Sequence, residues 1–206
     1  MADASAIEIR LGGFVDFVCA RSTGRIAAVA DTVSMYAEPY PFERDFYGPM
    51  RKAVLDGIAN RDDVSRTNQV CESCSVRKKE HYQALTSGWQ RWRRGKDVVV
   101  NPRGEDWRRQ DLVVRVSPPI IVRSRNQRDL VWLYYKEPEL TSDAARIANR
   151  IVELAIPSSI GRPAVLDIRR AKLHRASSPL PRGFDALLNA EVSAFTSLYE
   201  ALRHSA

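Results

Sequence analysis

The chain has 206 residues, of which 44% are hydrophobic and 28% are charged, and this composition predicts a globular protein with one core, or one core and a smaller subdomain. No basic stretch followed by an apolar run opens the sequence, and no apolar segment approaches the roughly 18–20 residues that cross a bilayer, so we expect a cytoplasmic protein with no membrane partner. The net charge of +7 comes with 26 arginines and six lysines, and because a guanidinium group pairs bidentately with phosphate we expect nucleic acid, DNA more than RNA, as the partner.

Residues 1–70 are predicted to be a helical N-terminal region. Phe14 and Phe17 recur at helical spacing, and Pro49 opens a short helix. Residues 60–70 are polar and have no capping signal, so we expect a flexible connection there. Four aromatic residues in this region are expected to pack where elements meet rather than to form a ligand platform. They are Tyr40, Phe42, Phe46 and Tyr47.

The three cysteines, Cys19, Cys71 and Cys74, are an odd number, which argues against a disulfide framework. Cys71 and Cys74 form one C-x-x-C, and His81 follows seven residues after it. A structural zinc ion needs four ligands, and a second ligand pair is missing at the usual spacing. Reduced structural thiols are therefore the simpler interpretation, although the sequence leaves metal binding by this pair open.

Residues 74–96 are predicted to form one helix with an apolar stripe that includes Leu85, Trp89 and Trp92. Four cations cluster at the end of this helix. They are Arg91, Arg93, Arg94 and Lys96. Cations at a helix C-terminus complement the helix dipole, which is a purely structural explanation. A basic patch interleaved with aromatic residues would equally suit a phosphate backbone and stacked bases, so both interpretations stay open.

A strand-rich part follows this helix. Residues 97–100 are a short apolar run, and three further segments, 111–118, 119–126 and 129–136, are predicted to pair as a meander. The Pro118-Pro119 pair separates the first segment from the second. The last segment is rich in β-branched and aromatic residues, which is typical of a strand buried on both faces.

An amphipathic helix over residues 140–156, for which Thr141 and Ser142 offer N-caps, leads into a strand over 163–170. Because a helix connects this strand to the preceding one, we expect the two to be parallel. A second amphipathic helix is predicted over residues 184–204. Its inward-facing residues are expected to be Phe184, Leu187, Leu188, Val192, Phe195, Leu198 and Leu202. Together these elements predict an α/β (α+β) fold with a mixed sheet of about four to five strands and flanking helices.

The order helix, three-stranded meander, helix, strand over residues 76–172, with Lys136 closing the third strand, resembles the PD-(D/E)XK nuclease-like superfamily. The resemblance implies a restriction-endonuclease-like core over residues 71–206, with a Pro-Asp at the second strand and an acid-x-Lys triplet on the third. The matching positions place Pro119 and Tyr134 where two metal-binding acids are expected. Of the superfamily's catalytic residues, the resemblance therefore assigns only the lysine, Lys136, and it assigns no metal ligand. Mg²⁺ would be a cofactor only if the protein were an active enzyme.

Other carboxylates could replace the missing acids, and each is also explained as a solvated residue at a turn or a strand end. They are Glu80, Glu105, Asp106, Asp111, Asp129, Glu137 and Glu139. Asp167 lies beside Arg169 and Arg170 in the last strand, where an ion pair is the expected explanation. The lysine at position 136 also has a structural explanation, in which its side chain extends from a buried strand to the surface.

We therefore predict a nucleic-acid-binding protein with a catalytically degenerate nuclease-like core. A GC-rich genome would also enrich arginine over lysine, but it would not explain the net charge. The expected phosphate contacts are Arg91, Arg93, Arg94, Lys96, Arg108, Arg109, Arg115 and Lys136. One alternative is an interaction protein that binds a protein partner or a second copy of itself, and another is an active Mg²⁺- or Mn²⁺-dependent nuclease with displaced acids. Three segments also resemble a group of uncharacterised bacterial proteins, a likeness that implies no function.

Overall fold

A computed structural model of the protein describes residues 6–37, 45–177 and 179–204. Within these ranges the fold is α+β, with seven helices and two mixed sheets, and the predicted fold class is confirmed. The helices are α1 (Leu11–Cys19), α2 (Thr23–Ala37), α3 (Gly48–Asn60), α4 (Asp63–Ser73), α5 (Val76–Arg93), α6 (Ser142–Ala155) and α7 (Phe184–Arg203). The strands are β1 (Ile7–Arg10), β2 (Asp97–Val100), β3 (Glu105–Arg109), β4 (Leu112–Val116), β5 (Ile120–Arg123), β6 (Arg128–Tyr134), β7 (Arg162–Asp167) and β8 (Lys172–Arg175).

The larger sheet has five strands in the order β2-β5-β6-β7-β8. The pairs β2-β5 and β5-β6 are antiparallel, β6-β7 is parallel, and β7-β8 is antiparallel. The expected parallel pairing through a connecting helix is therefore correct, and α6 is that helix. Its N-cap is Thr141, whose hydroxyl accepts a hydrogen bond from the backbone N–H of Ala144 at 3.1 Å.

The expected meander of residues 111–118, 119–126 and 129–136 is wrong in its first member. β4 belongs to the other sheet, and β2 is the strand that pairs with β5. The Pro118-Pro119 pair is the physical reason, because a residue without an N–H cannot extend a strand ladder. The turn is held by Asn101, whose side chain donates to the carbonyl of Pro118 at 2.7 Å.

The smaller sheet has the order β1-β4-β3. β1 runs parallel to β4, and Ile9 lies opposite Val114. β3 runs antiparallel to β4, and Asp106 lies opposite Arg115. The N-terminal region is therefore not purely helical, because its first strand completes a sheet with residues about one hundred positions later in the chain.

The five-stranded sheet separates two apolar cores. One face packs against α1, α6, α7 and the smaller sheet, with Leu130 and Tyr134 among its buried residues. The other face packs against α3, α4 and α5, with Leu133 and Tyr135 buried there. This alternation along β6 confirms a strand that is covered on both sides. Gly88 lets α5 approach the sheet closely, since a Cβ atom at this position would lie 1.9 Å from the backbone oxygen of Ile168.

The expected flexible connection at residues 60–70 is wrong, because most of it lies in α4. Asp63 is buried, and its carboxylate accepts a hydrogen bond from the indole N–H of Trp89 at 2.9 Å. Polar contacts of this kind fix a helix without producing an apolar sequence pattern. The division into two parts at residue 70 consequently falls inside a helix that packs on α5.

The aromatic residues between α2 and α3 are only partly described. Phe46 and Tyr47 pack against the core formed with α3, α4 and α5, whereas Tyr40 and Phe42 lie outside the described residues.

The inward face of α7 is largely as expected, with Phe184, Leu188, Val192 and Phe195 buried. Leu187 is a correction, because its side chain is 45% exposed.

Candidate functional site

Lys136 lies just after the end of β6, on the side of the five-stranded sheet that faces α1. Its ammonium group contacts the Asp16 carboxylate, with 2.5 Å between Nζ and Oδ2. Asp16 is the only charged residue in the apolar helix α1, and burial raises its pKa although Lys136 opposes the shift. The Lys136 side chain is 46% exposed, so it reaches the surface, but it does so as one half of an ion pair.

The two positions that replace the expected acids do not offer metal ligands. The Tyr134 hydroxyl is a donor to the carbonyl of Pro138 at 2.9 Å, and burial raises the pKa of this phenol. Pro119 has no ligand atom in its side chain, and its carbonyl accepts the backbone N–H of Asn101 at 2.7 Å. Both residues have structural partners instead.

A second acid, Asp167, lies directly opposite Tyr134 at the end of β7. It is fully buried and accepts hydrogen bonds from the guanidinium of Arg170 at 3.1 Å and from the backbone N–H of Leu140 at 3.4 Å. Arg170 also donates to the carbonyl of Glu137 at 2.7 Å. The expected ion pair of Asp167 is therefore confirmed, and this carboxylate stabilises the connection from β6 to α6.

Three of the other candidate acids are paired with cations other than Lys136. Asp106 pairs with Arg115 at 3.1 Å on the smaller sheet, and Glu139 pairs with Lys172 at 3.4 Å. Asp129 lies at the far end of β6. Its buried carboxylate accepts hydrogen bonds from two arginines at 2.9–3.0 Å, and it ties together β6, β7 and β8. These two arginines are Arg162 and Arg175.

The two acids at this end of the sheet already have cationic partners, which a divalent cation would have to displace. Mg²⁺ takes oxygen ligands, mainly carboxylates and waters, in near-octahedral geometry. Here Asp16 is paired with an ammonium group and Asp167 with a guanidinium group. Across residues 6–37, 45–177 and 179–204, no group of three or more His, Cys, Asp or Glu side chains is arranged to hold a metal ion.

The structure separates the predicted phosphate contacts into three places. Lys136 is at one end of the five-stranded sheet, and Arg94 and Lys96 are at the other, because they precede β2. β6 alone puts about 20 Å between these ends, at about 3.3 Å for each of its six residue steps. The third place is the smaller sheet, which carries Arg108, Arg109 and Arg115.

Several of these cations already have partners. Arg93 lies 3.2 Å from the buried carboxylate of Asp63. Arg108 and Arg115 both contact Asp106, and Arg109 donates to the side-chain oxygen of Asn189 at 2.8 Å. A cation held by a carboxylate contributes less to a phosphate contact, because the ligand has to compete with that carboxylate.

A cluster of cations lies at the end of the five-stranded sheet opposite Lys136, and we call it the basic edge. It consists of Arg94, Lys96, Arg123, Arg125 and Arg128. Strand register brings its members together, since Asp97 lies opposite Arg123 and Arg123 lies opposite Arg128. Arg125 is in the turn between β5 and β6, which is closed by a hydrogen bond from the backbone N–H of Ser124 to the carbonyl of Gln127 at 2.9 Å.

The arginines of the basic edge are exposed, and none of them has an ion-pair partner in the part of the chain that the structure describes. Lys96 differs from them, because its ammonium group contacts the carbonyl of Trp92 and lies 5.3 Å from the centre of that ring. Asp97 is the acid that register places beside Arg123, and it forms no ion pair with it. The edge therefore has a surplus of positive charge.

Sequence reasoning missed two features of these sites. Three arginines, Arg123, Arg125 and Arg128, stand within six residues of the sequence, but their spacing does not show that strand register gathers them with Arg94 and Lys96 at one edge of the sheet. Asp16 lies 120 positions from Lys136 in the chain, so spacing could not connect them. The one available signal for Asp16 was a single carboxylate in an otherwise apolar helix.

The three cysteines are free thiols. Cys71 is buried, and the Cys74 thiol lies 3.1 Å from the carbonyl of Cys71. Burial raises the pKa of Cys19, which keeps this thiol protonated and poorly nucleophilic. The geometry thus agrees with structural thiols at all three positions.

Comparison with protein-family models, with curated proteins and with solved structures finds no match to this chain. In the described part of the chain, no helix is long and apolar enough to cross a membrane.

Proposed function

We propose that this protein binds nucleic acid through the basic edge, on a nuclease-like core whose metal-binding acids have been replaced. The observation that supports the proposal most directly is the pair Arg123 and Arg128, which face each other across two neighbouring strands. Like charges directly opposite each other destabilise a sheet. A phosphate backbone would turn this unfavourable pair into a favourable one.

The shape of the basic edge suits a duplex. Its arginines lie at the end of the β5–β6 hairpin, with Arg125 at the tip. The major groove of B-DNA admits a two-stranded β-ribbon, whereas the major groove of an RNA helix is too narrow for side chains to read. DNA is therefore the favoured partner, and the arginines would contact its phosphates on both sides of the groove.

The nuclease-like character of the core is supported by element order. A helix (α5), a three-stranded antiparallel meander (β2, β5 and β6), a second helix (α6) and a parallel strand (β7) follow each other, and Lys136 closes the third strand. The hairpin of β3 and β4 interrupts the meander. With Pro119 and Tyr134 in place of the acids, the proposed activity is binding rather than cleavage.

The proposal is tested by fluorescence anisotropy with labelled duplex DNA, duplex RNA and single-stranded DNA. The affinity should fall steeply between about 50 and 200 mM salt, because binding releases counterions from the phosphates. A binding curve that does not change with salt refutes the proposal.

The same samples are then incubated with Mg²⁺ or Mn²⁺. We expect the DNA to remain intact. Metal-dependent cleavage that disappears in Lys136→Ala would instead support the alternative of an active nuclease with a displaced acid, for which Asp16 is the candidate because it contacts Lys136.

A further inference from the structure

A small polar cleft lies between α6 and the edge strand β8, and it shares no residue with the basic edge. Its volume is about 200 Å³, and it is lined by Ser142, Ala145, Arg146, Asn149, His174, Arg175 and Ser177. His174 lies opposite Val165, whose side chain is in the core that contains α6. The His174 ring is therefore on the face of β8 that meets α6.

Two residues that line the cleft each carry a buried polar atom with no hydrogen-bond partner among the described residues. These atoms are Oδ1 of Asn149 and Nε2 of His174. Asn149 is only 3% exposed, and its amide orientation is fixed because Nδ2 donates to the carbonyl of His174 at 3.0 Å. Leaving a buried polar atom unpaired is unfavourable, so a ligand that pairs both atoms would gain affinity from them.

The electrostatics of the cleft favour an anion. Arg146 is on its rim and gives one N–H to Asp143 at 3.0 Å, which leaves most of its five donors free. Ser142 is the first residue of α6, where the helix dipole attracts negative charge. Arg175 adds less, because its guanidinium group is bound to Asp129 on the other face of the sheet.

We propose that this cleft binds a phosphate group that retains one P–OH, either inorganic phosphate or a singly protonated phosphate monoester. The phosphate oxygens would accept hydrogen bonds from Arg146 and from Nε2–H of His174. The P–OH would donate to Oδ1 of Asn149, which is an acceptor only. Sulfate has the same charge and shape as hydrogen phosphate but has no donor, so it would leave Asn149 unpaired.

The test follows the His174 imidazole signal by NMR at neutral pH and constant ionic strength, with His174→Gln used to assign it. Inorganic phosphate should produce a saturable shift, and sulfate should bind about tenfold more weakly, which is the effect of about one lost hydrogen bond. Asn149→Ala should remove the preference for phosphate over sulfate.

Arg146→Gln, at an exposed position where folding is not at risk, should weaken phosphate binding by about tenfold. The matched control is Arg203→Gln, which removes one exposed, ion-paired arginine from α7 and should leave the affinity unchanged. No saturable shift up to about 20 mM phosphate, equal binding of sulfate, or an unchanged affinity in Arg146→Gln would each overturn the proposal.

A second comparison distinguishes the sources of the phosphate. This comparison is made at about pH 6, where about half of a terminal phosphate monoester keeps its P–OH. A shift of the His174 signal with a 5′-phosphorylated oligonucleotide, and not with its 5′-hydroxyl counterpart, would identify a nucleic-acid terminus as a ligand. A shift with inorganic phosphate alone would identify a free anion. Because the readout is at His174, the result is independent of whether the basic edge binds DNA.

Discussion

Replacing the three arginines of the β5–β6 hairpin is expected to remove most of the DNA affinity. The variant is Arg123→Gln, Arg125→Gln and Arg128→Gln, and it lowers the net charge from +7 to +4. Each phosphate contact contributes about 0.9 to the slope of log K against log salt for duplex DNA, so losing three contacts should reduce the slope by about 2.7. At 0.1 M salt this corresponds to a loss of affinity of about two to three powers of ten.

A control variant separates local contacts from net charge. Arg108→Gln, Arg115→Gln and Arg203→Gln lower the net charge equally, but these arginines are paired with carboxylates in the folded protein. We expect the control to retain most of the slope, and both variants to melt close to the wild-type temperature because the substituted side chains are exposed. Equal losses in the two variants, measured by anisotropy at four salt concentrations, would refute the role of the basic edge.

Three further predictions concern stability. Gly88→Ala should destabilise the protein in urea unfolding. Overpacking against the backbone costs about 1–3 kcal/mol or more, which outweighs the gain of about 1 kcal/mol in helix propensity. In the control Gly12→Ala the nearest neighbour of the new Cβ atom would be 3.8 Å away, so this variant should be nearly neutral. Asp129→Asn should cost about 3 kcal/mol, since it leaves two half-exposed arginines unpaired; an unchanged midpoint would show that the carboxylate is dispensable. Burial, and then the nearby charge of Lys172, lower the pKa of His174 below its usual 6.5. The unfolded state therefore takes up the proton first, and the stability of the protein falls as the pH drops below 6.5. In His174→Gln the loss of melting temperature on acidification should be smaller, and an identical loss would contradict the shift.

Local patterns were sufficient to predict most elements. α5 and α6 have clear apolar periodicity, Pro49 marks the start of α3, and the run through β6 indicates a strand buried on both faces. These features depend on neighbours within a few residues, so the sequence alone contains the necessary information.

Pairing over long distances could not be predicted. β1 is only four residues long, and its partner β4 lies about one hundred residues away, so nothing local identified it as a strand. The same limit hid the contact between Asp16 and Lys136. The Pro118-Pro119 pair was correctly interpreted as a break, but a break does not show which sheet the chain enters next.

The pairing of β1 with β4 has a consequence for synthesis on the ribosome. Residues 7–19 leave the ribosome well before residues 112–116, which are made about one hundred residues later. At about 5–20 residues per second, β1 and the apolar helix α1 wait for about 5–20 s before β4 is made. During that interval Phe14 and Phe17, which are fully buried in the finished protein, are available to chaperones or to other nascent chains.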